Sequence, residues 1–119
     1  MNRKLLALLF LAGWAGCQNQ DQRASLLPLY DGLSKYHRPV TTNSREAQEY
    51  FDQGLALYYG FNHEAAILSF QQALVLDSNC VMAWWGQALS SGPNINNTAM
   101  DDHAKIAAWE TIVMAREQL

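Results

Sequence analysis

Positive charge, cysteine and histidine are all scarce in this sequence. Eight Lys and Arg residues face 11 Asp and Glu in 119 residues. A surface of that sign repels phosphate backbones, so no nucleic acid is expected as a partner. The three histidines are His37, His63 and His103, and no two stand four residues apart. His63-Glu64 lacks the second histidine of a zinc-protease helix, so no metal site is expected. Long apolar runs are missing too. The longest, Leu5 to Ala12, is well short of the roughly 20 residues that cross a bilayer as a helix.

That short run has a recognisable context. Asn2-Arg3-Lys4 precedes it, and Gly13-Trp14-Ala15-Gly16 follows, ahead of Cys17. Charged, apolar and small-residue regions in this order form a secretion signal over residues 1–16. Ala15-Gly16-Cys17 resembles the lipobox of bacterial lipoproteins, with Trp14 where that family usually has Leu. The resemblance implies that Cys17 is acylated and becomes the new N-terminus. Gln18 after it implies sorting to the outer membrane, and Cys80 is then left without a disulfide partner. Cys80 itself is expected to be a small buried residue at a helix start. Without the signal, about 103 residues remain, enough for one small domain. Six basic residues then face 11 acidic ones, a net charge near −5.

Residues 17–42 divide into a polar tether, Gln18 to Ala24, and an irregular extension from Ser25. Leu26, Leu27, Leu29, Tyr30 and Leu33 offer packing surface there. Pro28, Gly32 and Pro39 limit the extension to a short helix at most. From Asn43 to Leu119 the pattern is helical. Asn43 and Glu46 have capping-box spacing. Ala47, Tyr50, Phe51, Gly54, Leu57, Tyr58 and Phe61 recur at three- and four-residue steps. Gly60 is placed at the end of this helix, where a left-handed residue costs glycine little.

Asn62 can cap a second helix whose apolar face is Ala66, Ile67, Phe70, Ala73 and Leu74, ended by Asp77-Ser78-Asn79. A third helix is expected to hold Val81, Trp84, Trp85 and Ala88 on one side. Gly92-Pro93-Asn94 breaks it. Asp101 or Asp102 starts a fourth, with Ile106, Trp109 and Val113 on its apolar side.

Tyr50 and Trp84 are 34 residues apart, as are Gln53 and Gln87, and Gly54 and Ala88. A period of this length marks stacked helix pairs. Tyr50, Gly54, Ala66, Phe70 and Ala73 resemble the tetratricopeptide repeat. Gly54, Ala66 and Ala73 are small where helices approach closely, and Tyr50 and Phe70 fill between them. Gln53, Leu57 and Ser78 depart from the family's Leu, aromatic and Pro. The resemblance implies an all-α chain of antiparallel helix pairs, an α-solenoid fragment with one full repeat and one partial. Ala47–Gly54, Gly60–Ala65, Trp85–Ala88 and Gly92–Asn96 further resemble an uncharacterised group of longer bacterial tetratricopeptide-repeat proteins. That likeness leads to the expectation that the chain is an N-terminal piece or a shortened product.

No catalytic residue and no cofactor is expected. Glu49 and Asp52 lie on a helix face without a partner base. Asp101-Asp102-His103 is explained by the helix dipole, and Ser69, Ser90 and Ser91 lack a nucleophile-elbow context. Adjacent residues on a helix face different ways, so one of Tyr58/Tyr59 and one of Trp84/Trp85 points outward. Tyr59 and Trp85, with Asn94 and Asn96 in the polar loop, are the candidate partner-binding residues. The expected function is a scaffold anchored at the cell envelope, facing the periplasm, that holds a protein or peptide. Glycan binding in the manner of SusD-like lipoproteins is the alternative. Self-association through the last helix is a further expectation, because its apolar surface is wider than one neighbouring helix pair covers.

Overall fold

The computed structural model describes residues 27–119, so the signal, Cys17 and the tether lie outside the described residues. Four helices follow an irregular extension that holds one short 3₁₀ turn, Leu33–Lys35. They are α1 (Arg45–Tyr59), α2 (His63–Leu76), α3 (Val81–Ser91) and α4 (Asp102–Glu117). There is no β-strand among the described residues; Asn94 and Asn97 form only an isolated bridge. α1 packs on α2, α2 on α3, α3 on α4, and α1 also meets α3. Connections as short as Gly60–Asn62 make sequential helices antiparallel neighbours. None of the described helices is long and apolar enough to cross a membrane.

Local chemistry sets the helix ends. Asp101 caps α4 by accepting from Ala104 N at 2.7 Å, and Asn62 caps α2 by accepting from Ala65 N at 3.4 Å. The cap of α1 is Ser44, whose Oγ accepts from Ala47 N at 3.1 Å, and not Asn43. Asn43 is engaged elsewhere, since its N–H and the Thr42 hydroxyl both donate to Asp77 Oδ2 beyond α2. The other end of α1 corrects a second expectation. Gly60 is right-handed, at φ −80°, and the left-handed residue is Phe61, at φ 60°. Asn62 N donates to Leu57 O and Phe61 N to Tyr58 O, which is the Schellman pattern shifted by one residue. Placing a side chain in that conformation costs roughly 1–2 kcal/mol.

The core is organised around Phe70 of α2. Gly54 of α1 and Gly86 of α3 both face its ring. A Cβ would meet that ring at 2.8 Å from Gly54 and 2.5 Å from Gly86. Two glycines on separate helices thus let one aromatic ring join three helices. Phe51 packs against it with ring centroids 5.6 Å apart, and Ala47, Ala66, Ala73, Cys80 and Ala83 close the cluster without exposed surface. Cys80 is free and sits at the N-cap of α3. Burial pushes its thiol above the ordinary range, which keeps it protonated and unreactive.

The inward faces of α3 and α4 differ from those expected. α3 buries Ala83, Gly86, Ala88 and Ser90, while Trp85 is exposed and Val81 and Trp84 are half-buried. α4 buries Thr111 and Ala115, while Ile106 and Trp109 face outward. Val113 is half-buried. Small residues allow the helix axes to approach closely, and the larger Trp85, Ile106 and Trp109 are left exposed.

Candidate partner-binding surfaces

Three surfaces carry unusual chemistry. The first lies on α1, where a polar row holds the extension as a strap. Gln53 accepts from Tyr30 N at 2.6 Å and donates to Pro28 O at 3.0 Å. Asp52 accepts from Arg38 N at 3.0 Å, and its other oxygen lies 2.7 Å from His37 Nδ1. Gln48 accepts from Val40 N at 3.0 Å and donates to Arg38 O at 2.9 Å. Gln48 also donates to Asp52 at 3.0 Å, so the row is internally braced. Asp52 and Gln53 are buried. A buried carboxylate without donors is costly, and the strap supplies two of its three.

Asp52 therefore has an imidazole partner, which overturns the expectation that it stands alone. Sequence reasoning missed this because His37 and Asp52 lie on different elements. The available signal was the four-residue spacing of Gln48 and Asp52, a polar stripe beside a proline-bearing segment. Strap and helix enclose a cavity of about 460 Å³, lined by Tyr30, Asp31, His37, Arg45 and Glu49 among others. The carboxylate holds the imidazole in place over α1.

The second surface is an apolar cleft of about 420 Å³ between α3 and α4. Trp85, Leu89, Met100, Lys105, Trp109 and Ile112 are among the residues that line it. The third is aromatic. Tyr59, 63% exposed, packs edge-on against Tyr36 and Tyr58. Tyr58 and Phe61 in turn meet the His63 ring edge-on. Both His63 ring nitrogens are buried without a hydrogen-bond partner among the described residues.

The four residues singled out in the sequence are not gathered into one site. Tyr59 belongs to the aromatic cluster and Trp85 to the apolar cleft. Asn94 turns its side-chain oxygen onto its own loop, accepting from Asn96 N at 2.9 Å and Asn97 N at 3.0 Å. Asn96 is exposed at the tip of that loop. No family model, curated protein or solved structure matches the chain.

Proposed function

We propose that the chain is a membrane-tethered scaffold of tetratricopeptide type that holds a protein or peptide partner and performs no chemistry of its own. The observation that carries this reading is the open apolar cleft between α3 and α4, where Trp85 and Trp109 stand on one side-chain surface. Exposed tryptophans beside a cleft are efficient anchors, since they offer large apolar area at small entropic cost. The 34-residue correspondence of Tyr50 with Trp84 and Gly54 with Ala88 supports the repeat type. The tether rests on Cys17, and stable attachment needs two or more acyl chains.

Site-specific photocrosslinking from residue 85 in intact cells tests the reading. A protein adduct lost on Trp109→Ala is the expected result. Absence of any protein adduct, with retention of the chain on a glycan array, would replace the scaffold by the glycan-binding alternative. For the anchor, Cys17→Ser is expected to abolish detergent-phase partitioning; unchanged partitioning overturns it.

A further inference from the structure

The strap meets α1 in an unusual way. Among the described residues, the strap's main chain makes the bonds at Pro28, Tyr30, Arg38 and Val40 to Gln48, Asp52 and Gln53, and His37 adds one from its side chain. Between Arg38 and Val40 the bonds skip Pro39, the one residue with no N–H to give. Proline also fixes its own φ and biases Arg38 toward the extended region, so this segment loses little entropy on docking. Val40 packs against the core, and Met82 of α3 joins it in lining a cleft. The large groups contribute less: Leu29, Tyr30 and Tyr36 all remain exposed. Extended backbone, a proline at the skipped position and one apolar side chain in a recess are the elements of peptide recognition.

We infer that the α1 row is an extended-peptide clamp that the chain keeps closed with its own segment, Tyr36 to Thr41. With Tyr36 to Thr41 lifted off, Asp52 keeps one of its three donors, Gln48, and Gln48 loses its bonds to Arg38 and Val40, so an occupant of the row is favoured. Any extended segment with an imidazole donor, a proline two residues on and then a branched apolar residue satisfies the same groups. The strap is favoured over such a segment by its tether, which sets an effective concentration of about millimolar. An external peptide is therefore bound with an affinity reduced by the fraction of time the strap is off. This site is distinct from the apolar cleft on α3 and α4, and its fate does not depend on that cleft.

The probe is a fluorescent synthetic peptide, Lys-Tyr-His-Arg-Pro-Val-Thr-Thr, titrated against the chain from Gln18 onward. Weakening the strap by His37→Ala, or by Pro39→Gly, which removes no clamp bond, is expected to tighten peptide binding by about tenfold or more. Adding Gln48→Ala to either variant is expected to return binding to the wild-type level or below. Helical circular dichroism verifies that each variant is folded, and Pro39→Gly carries the test if His37→Ala is not. Equal affinity for wild-type and strap-weakened chains overturns the competition. Binding indifferent to Gln48→Ala, or no binding to any folded variant, overturns the clamp.

Discussion

The two ends of this helix stack are finished in opposite ways. The strap covers one face of α1 with hydrogen bonds to Gln48, Asp52 and Gln53. At the other end, α4 turns Ile106 and Trp109 outward, 59% and 64% exposed. Shifting the buried α3 residues Ala83, Gly86 and Ser90 by 34 positions lands on Glu49, Asp52 and Ala56 of α1. In α3 that face receives Phe70 of α2. In α1 the corresponding face carries a carboxylate where α3 has a glycine, so it is built for a polar strap and not for another helix. A polar cover on one end and an apolar surface on the other makes the stack directional.

The largest expected effect lies between the ends. Phe70 fills the gap left by Gly54 and Gly86 and ties α1, α2 and α3 together. Phe70→Ala should cost about 3–5 kcal/mol in chemical denaturation. A cost below about 1 kcal/mol would mean that the two helix pairs are held by something other than this ring.

Next in size is the covered end. Asp52→Ala removes the acceptor of Arg38 N, His37 and Gln48 together. A loss of about 1.5–3 kcal/mol is expected, the range for hydrogen bonds to a charged group. Asp52→Asn, which keeps the shape, should lose less. If both variants melt with the wild type, the strap adds nothing to stability and the contrast between the ends disappears.

A smaller effect at the same end depends on pH. Asp77 holds the foot of the strap, and the Thr42 hydroxyl bond, followed by bonds from the Asn43 and Asn79 N–H groups, draws its carboxyl below the ordinary range. A depressed folded value means that the ionised form is favoured by folding. The contribution is present above the ordinary carboxylate value and is lost as pH falls through the lower folded one. Melting temperature should therefore fall less steeply through that window in Asp77→Asn than in the parent. Parallel acid profiles would remove Asp77 from the account.

What could be read in the sequence divides along the same lines. The Asn62 and Asp101 caps act within three residues, so local spacing reveals them. Asn43 misleads because the N–H that Glu46 would meet in a capping box is bonded instead to Asp77, 34 residues away, and Ser44 supplies the cap. The clamp is hidden for the same reason: its bonds span 8 to 25 residues and join polar groups that look like an ordinary wet helix face. The faces of α3 and α4 mislead differently. Size suggests that Ile106 and Trp109 point inward; one of Trp84 and Trp85 is expected outside, and Trp85 is the exposed one. Close helix approach instead selects Ala83, Gly86, Thr111 and Ala115 for the buried side and leaves the large residues outside.

The smallest expected effect on stability is at the open end, and there the two ends can be set against each other directly. Trp109 is 64% exposed, and among the described residues α3 is the only helix against which α4 packs closely. Trp109→Ala therefore removes little buried area, and the monomer should change by no more than about 0.5 kcal/mol. Asp52→Ala, a smaller change in volume, should cost several times more because its atoms are buried and bonded. The same tryptophan should matter for association. With Trp85 and Ile112 it lines a cleft of about 420 Å³ whose apolar surface is open to solvent. Sedimentation of the chain from Gln18 onward across a concentration series separates the two roles. Self-association that weakens in Trp109→Ala, with an unchanged melt at low concentration, fits an exposed docking surface. A melt that drops by several kcal/mol would instead place Trp109 in the packing that holds α4 on α3, and the open end would then be a covered one.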